Sequence, residues 1–158
     1  MKLKSMIRQK LRRFIRHEKG AALAELAILL PFLVLMLAAI AEFGRFFQTY
    51  TTLAKSTRSA ARYLSNHPFA TSQDQARNLA VCGQLSCAGV SSLVPNLDAS
   101  NICIQSTGSP KIETVTVSVG GCATAFNYRP IFDIGALLHT GFTFTPEIRP
   151  SVTMYYML

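Results

Sequence analysis

The sequence predicts an α+β fold in which a long N-terminal helix, first transmembrane and then amphipathic, packs on a small antiparallel sheet. Three observations carry this expectation. Residues 26–41 contain no charge, and Phe43, Tyr50, Thr57 and Leu64 then recur every seven residues on one helical face. Beyond residue 100, short stretches of β-branched and aromatic alternation replace the helical period.

At 158 residues the chain has room for one domain and an appendage. Of its formal charge of +8, the first twenty residues carry +7, from eight basic side chains against Glu18 alone. Positive flanks of a membrane segment are retained in the cytoplasm, so this asymmetry predicts an N-terminus inside and a C-terminus outside. It also argues against nucleic-acid binding, which needs basic side chains on a folded surface beside groove-entering or base-stacking elements. Leu3, Met6, Ile7, Leu11, Phe14 and Ile15 fall at near-helical spacing in this leader. Two readings stay open, an amphipathic helix on the inner leaflet and a retention signal without stable structure.

The organisation that follows is a basic leader at 1–20, a transmembrane helix at 21–41, its amphipathic extension at 42–66 and an exported α+β domain at 67–158. From Ala21 to Ala41 the apolar run is 21 residues long, close to the roughly 20 that span a bilayer. Its one charge is Glu25. A carboxylate at mid-membrane costs about 2.5 to 3.5 kcal/mol, but Glu25 lies only about 6 Å beyond Ala21 along a helix axis, shallow enough to snorkel beside the positive end of the dipole. Pro31 removes one backbone donor, which membrane helices accommodate by kinking or by packing on neighbours.

In the extension, Phe43, Phe46, Phe47, Tyr50, Leu53 and Leu64 form a candidate packing face, with Arg45, Gln48, Lys55, Arg58 and Arg62 supplying the polar surface around it. Asn66, His67 and Pro68 end the run, predicting one helix over about 21–65. Residues 73–81 (QDQARNLAV) read as a short second helix. Strands are expected at 101–105, 114–119, 142–145 and 152–156, with Pro146 and Pro150 marking the turn between the last two. Residues 128–140 read as a loop with a helical turn at 134–138.

All four cysteines, Cys82, Cys87, Cys103 and Cys122, lie beyond the apolar segment. An even count in an exported domain predicts disulfides. The favoured pairs are Cys82 with Cys87, enclosing a short loop after a helix, and Cys103 with Cys122, tying two strands. Four cysteines permit three pairings, and the others remain open at this stage. No zinc site is expected, because the spacings lack a C-x2-C pair and the three histidines, His17, His67 and His139, are scattered. No cofactor is implied. With no G-x-S-x-G, no H-E-x-x-H, no phosphate-cradling glycine loop and no close acidic pair outside the membrane region, the expected function is not enzymatic.

The distinctive chemistry sits at the membrane junction, Lys19-Gly20 followed by Ala21-Ala22-Leu23-Ala24-Glu25-Leu26. These residues resemble a type IV prepilin-like signal. The longer run KGAALAELAILLPFLVLMLAAIAEFGRFFQTYTTLAKSTRSAARYLS resembles TadE-like pseudopilins of the tight-adherence (Flp) pilus system, including Pro31, the Glu42-Phe43-Gly44-Arg45 turn and the segment TRSAARY. RNLAVCG and the terminal TFTPEIRPSVTMYYML are also similar to that family. The resemblance implies a minor pilin-like component of Flp pilus assembly in the bacterial inner membrane, with a periplasmic C-terminal domain. It implies cleavage between Gly20 and Ala21 by a prepilin peptidase, which leaves Glu25 as the fifth mature residue. The new Ala21 amine and the Glu25 carboxylate of a neighbouring subunit would then pair in low dielectric and set axial register. Its implied partners are the peptidase, Flp pilin, other pseudopilins and the inner-membrane assembly platform. Ala21 stands where generic type IV pilins usually carry an aromatic residue, and Leu26 where Flp pilins carry tyrosine, which favours a pseudopilin over a major pilin.

The rival reading is a secreted soluble or signal-anchored periplasmic binding protein. Ala39-Ile40-Ala41 fits an ordinary signal-peptidase site, so the mature N-terminus, Ala21 or Glu42, separates the two forms of processing. Glu25 inside the apolar run and a helical period that continues through Glu42 weigh against the rival.

Overall fold

The computed structural model describes residues 18–122, 124–132 and 145–158. Most of the leader, the expected helical turn at 134–138 and most of the expected strand at 142–145 lie outside them. The chain divides into two compact units, one reaching Ala41 and the other running Glu42–Leu158.

Helix α1 (Glu18–Ser65) begins three residues before the expected Ala21 and continues unbroken through Pro31. Residues 42–45 form one turn of this helix. Side chains satisfy its last carbonyls, which lack intrahelical partners. Asn66 Nδ2 and Ser65 Oγ donate to the Arg62 carbonyl at 3.0 and 2.9 Å, and His67 Nδ1 lies 2.8 Å from the Tyr63 carbonyl. The His67 ring stacks on Tyr63 at 4.0 Å. Pro68 then bars further helix by disfavouring the helical conformation at His67.

Helix α2 (Phe69–Cys82) is longer at its N-terminus than the apolar period of 73–81 suggests. Pro68 gives it no capping side chain, but Tyr156, 87 residues away, accepts the Phe69 N–H at 3.1 Å through its hydroxyl. Gly83 closes the helix in the left-handed conformation (φ 75°), its N–H bonded to the Leu79 carbonyl at 3.1 Å, a glycine C-cap. The small residues Ala60 and Ala61 of α1 and Ala76 and Ala80 of α2 are all fully buried in one core cluster. Tyr63 donates to Gln75 Oε1 at 2.9 Å and so joins the two helices.

Strands β1 (Ile102–Thr107), β2 (Thr114–Val119) and β3 (Ser151–Tyr155) form an antiparallel sheet in the order β1-β2-β3. Alternation along β2 decides its faces. Val115, Val117 and Val119 are buried in the core, while Thr116 faces Thr153 across the ladder at 2.8 Å. Val117 pairs with Ile104 and Val152, placing three β-branched residues in one row. The three described strands match the expected ones within two residues at each end. The stretch around Pro146 and Pro150 differs from the expected simple turn: Glu147 bridges to Asn127, Tyr128 N–H donates to the Pro146 carbonyl, and Ile148 N–H donates to Phe126. This pairing buries Phe126, Tyr128 and Ile148.

Candidate functional site

Within the first unit, Gly20, Ala21 and Glu25 all lie in α1. Ala21 and Glu25 are four positions apart, about one helical turn along α1. Glu25 is exposed, and among the described residues no donor reaches its carboxylate.

Within the second unit, the N-terminal end is organised by Glu42, which is buried. Tyr128 donates its hydroxyl to Glu42 Oε1 at 2.5 Å, and the backbone N–H groups of Ile131 and Phe132 donate to the two carboxylate oxygens at 3.2 and 3.4 Å. One turn along α1, Phe46 meets the Tyr128 ring edge to face, with centroids 5.4 Å apart and planes at 89°. The pair at positions i and i+4 therefore fixes both ends of Tyr128, its polar tip and its ring. Burial, the Glu42 hydrogen bond and the Glu42 charge push the Tyr128 hydroxyl up to about 12, while Arg45 pulls the other way.

The expected packing face divides along α1. Leu53 and Leu64 are fully buried and Phe46 is half-buried against the core, whereas Phe43, Phe47 and Tyr50 are exposed. Direction around the helix does not explain this division. Eighteen residues make five turns at 3.6 per turn, so Phe43 and Ala61 point the same way, yet Phe43 is 69% exposed and Ala61 is 0%. The second unit covers this side of α1 near residue 61 and leaves it open near residue 43.

Cys82 joins Cys87 and Cys103 joins Cys122, with Cα separations of 5.8 and 5.3 Å. Cys103 pairs with Ser118 on β2, and the chain reaches Cys122 through Gly120 and Gly121, both at positive φ. Among the described residues no group of histidine, cysteine and acidic side chains is placed to hold a metal. Sequence reasoning missed the Glu42 to Tyr128 linkage. The available signal was a carboxylate placed one turn before Phe46, on the side of α1 that carries Leu53.

α1 is long and apolar enough to cross a membrane. Residues 20–62 match the TadE-like protein family. No curated protein and no solved structure gives a significant match to the chain.

Proposed function

Because residues 20–62 are TadE-like, which ties the chain to the Tad pilus system, we propose that it is a minor pilin-like component of Flp pilus assembly, matured by a prepilin peptidase. The observation that carries this reading is the order of residues at the head of the matched span: Gly20 and Ala21, an exposed Glu25 one turn later, then an uncharged helix. Glycine before the scissile bond lets a protease approach the backbone closely. Cleavage after Gly20 leaves a new amine on Ala21, and Glu25 is placed to receive the corresponding amine of a neighbouring subunit during assembly. The basic leader keeps the N-terminus cytoplasmic, the helix anchors the protein in the inner membrane, and the disulfide-bonded unit lies in the periplasm. The role is structural rather than catalytic. Its partners are the peptidase, Flp pilin, other pseudopilins and the assembly platform.

N-terminal sequencing of membrane-extracted protein tests the processing step. Ala21 is the expected first residue, and Gly20 replaced by a bulky residue should retain the leader. A first residue of Glu42 would instead support a soluble secreted protein cut after Ala41, a reading favoured by the unit boundary at that bond. Against that alternative, the cut would divide α1 within its helical hydrogen bonding and release a soluble unit with Phe43 and Phe47 exposed. The assembly step is tested with Glu25→Ala, for which normal membrane insertion and loss of piliation are expected. Full piliation would reduce Glu25 to an interfacial carboxylate.

A further inference from the structure

We propose that the Glu42 end of the second unit is a membrane-resting foot, in which Phe43, Phe47, Ile131 and Phe132 are covered by the lipid interface of the membrane that α1 crosses. The inference rests on the anchored reading given above.

The argument begins with length. Glu25 and Glu42 bracket an uncharged stretch, residues 26–41, that covers about 24 Å of helix at 1.5 Å per residue. The hydrocarbon core is about 30 Å thick. The core must therefore take in helix beyond one or both glutamates. Glu42 is the carboxylate equipped for this, since it is buried and accepts from Tyr128, Ile131 and Phe132. A charged group near lipid is costly unless its hydrogen-bonding capacity is met from within the protein.

The same hydrogen bonds hold apolar side chains at that level. Ile131 and Phe132 give their N–H groups to Glu42 yet are 65% and 53% exposed. Phe43 and Phe47 lie about 3 and 9 Å farther along the helix than Ala41, at the edge of the hydrocarbon and in the headgroup layer beyond it. Both are exposed where the equivalent direction near residue 61 is covered by protein. Arg45 and Arg129 are exposed beside these residues, and Arg45 is close enough to act on Tyr128. Apolar side chains interleaved with arginines suit an interface of acyl chains and phosphate groups. A water-facing surface would leave the apolar groups uncovered, and a second copy would have to accommodate two exposed arginines that have no ion pair among the described residues.

The absence of tryptophan from the chain makes the foot measurable. Phe132→Trp would supply the single indole, and Tyr155→Trp, at an exposed position on β3, would serve as the distant reference. The full chain is reconstituted in phosphatidylethanolamine and phosphatidylglycerol vesicles with brominated acyl chains, then washed with alkaline carbonate. Retention together with roughly threefold stronger bromine quenching for Phe132→Trp than for Tyr155→Trp is expected. Ile131→Trp repeats the measurement should the first variant fail to fold. Loss of both proteins in the wash would overturn the anchor and the foot together. Retention with equally weak quenching would overturn the foot alone. Shielding of the Phe132→Trp indole that rises with protein density but not with bromine would assign the surface to a second copy and overturn the lipid assignment.

Discussion

Removing the Tyr128 hydroxyl isolates its contribution to the Glu42 arrangement, because Tyr128→Phe keeps the ring that meets Phe46 edge to face. A hydrogen bond to a charged group contributes about 1.5 to 3 kcal/mol, so the variant should lose that much stability in denaturant titrations of the solubilised protein. An unchanged midpoint would mean that solvent replaces the hydroxyl without loss. The same side chain predicts an alkaline limit. Tyr128 is raised to about 12 in the folded protein, against about 10 for an unfolded tyrosine. The folded state therefore holds this proton more tightly. Its stabilising contribution is fully present below pH 10 and is lost as pH rises toward 12. The stability difference between wild type and Tyr128→Phe should shrink across that window, and a constant difference would dissociate the hydroxyl from the effect. The place of Glu42 on the Leu53 side of α1 was legible in the sequence, but its pairing with Tyr128 was not, since 86 residues separate the two and neither has a local motif that announces the other.

At the scale of elements, two glycines test opposite uses of the same residue. Gly83 holds φ 75° at the end of α2, and a Cβ there would meet Leu93 only at 3.6 Å, so space is not the obstacle. Gly83→Ala should cost about 1 kcal/mol through backbone strain. Gly44 lies inside α1, and a Cβ there would meet nothing within 4 Å. Gly44→Ala should therefore stabilise the solubilised protein by up to about 1 kcal/mol. Thermal melts of the two variants in one detergent check both signs. The packing face gives a third comparison: Leu53→Asp should unfold the second unit, because Leu53 is fully buried, whereas Lys55→Asp, at an exposed position, should leave its melting unchanged. The helix period and the β2 alternation were readable because each repeats a local geometry. How far the second unit covers α1 was not. Phe43 and Ala61 have the same direction in a helical projection, and only the tertiary fold decides that one is open and the other closed.

Across the whole molecule, the two units depend on different supports. The first presents apolar side chains such as Leu23, Ile28 and Phe32 on a single helix, an arrangement suited to lipid rather than water. The second has one small core of residues from both helices and the sheet, and a core of this size gains substantially from crosslinks. Under the chain-entropy model, the Cys103–Cys122 bridge, with a sequence separation of 19, contributes about 3 kcal/mol, and the Cys82–Cys87 bridge, with a separation of 5, contributes about 2 kcal/mol. Their places in the fold widen that difference. Cys103 lies in β1, which among the described residues pairs only with β2, and its bridge fastens that strand to the chain leaving β2. Cys82 and Cys87 close a loop beside a helix end already held by Gly83 and by the Leu93 N–H bonded to the Val81 carbonyl at 2.8 Å. Paired replacement of Cys103 and Cys122 by serine should consequently lower the denaturant midpoint more than paired replacement of Cys82 and Cys87, with β1 amides losing hydrogen-exchange protection first. Equal midpoints would mean that the sheet register, rather than the bridge, holds β1 in place. A larger loss from the Cys82 and Cys87 pair would locate the weakest point of the unit at the end of α2.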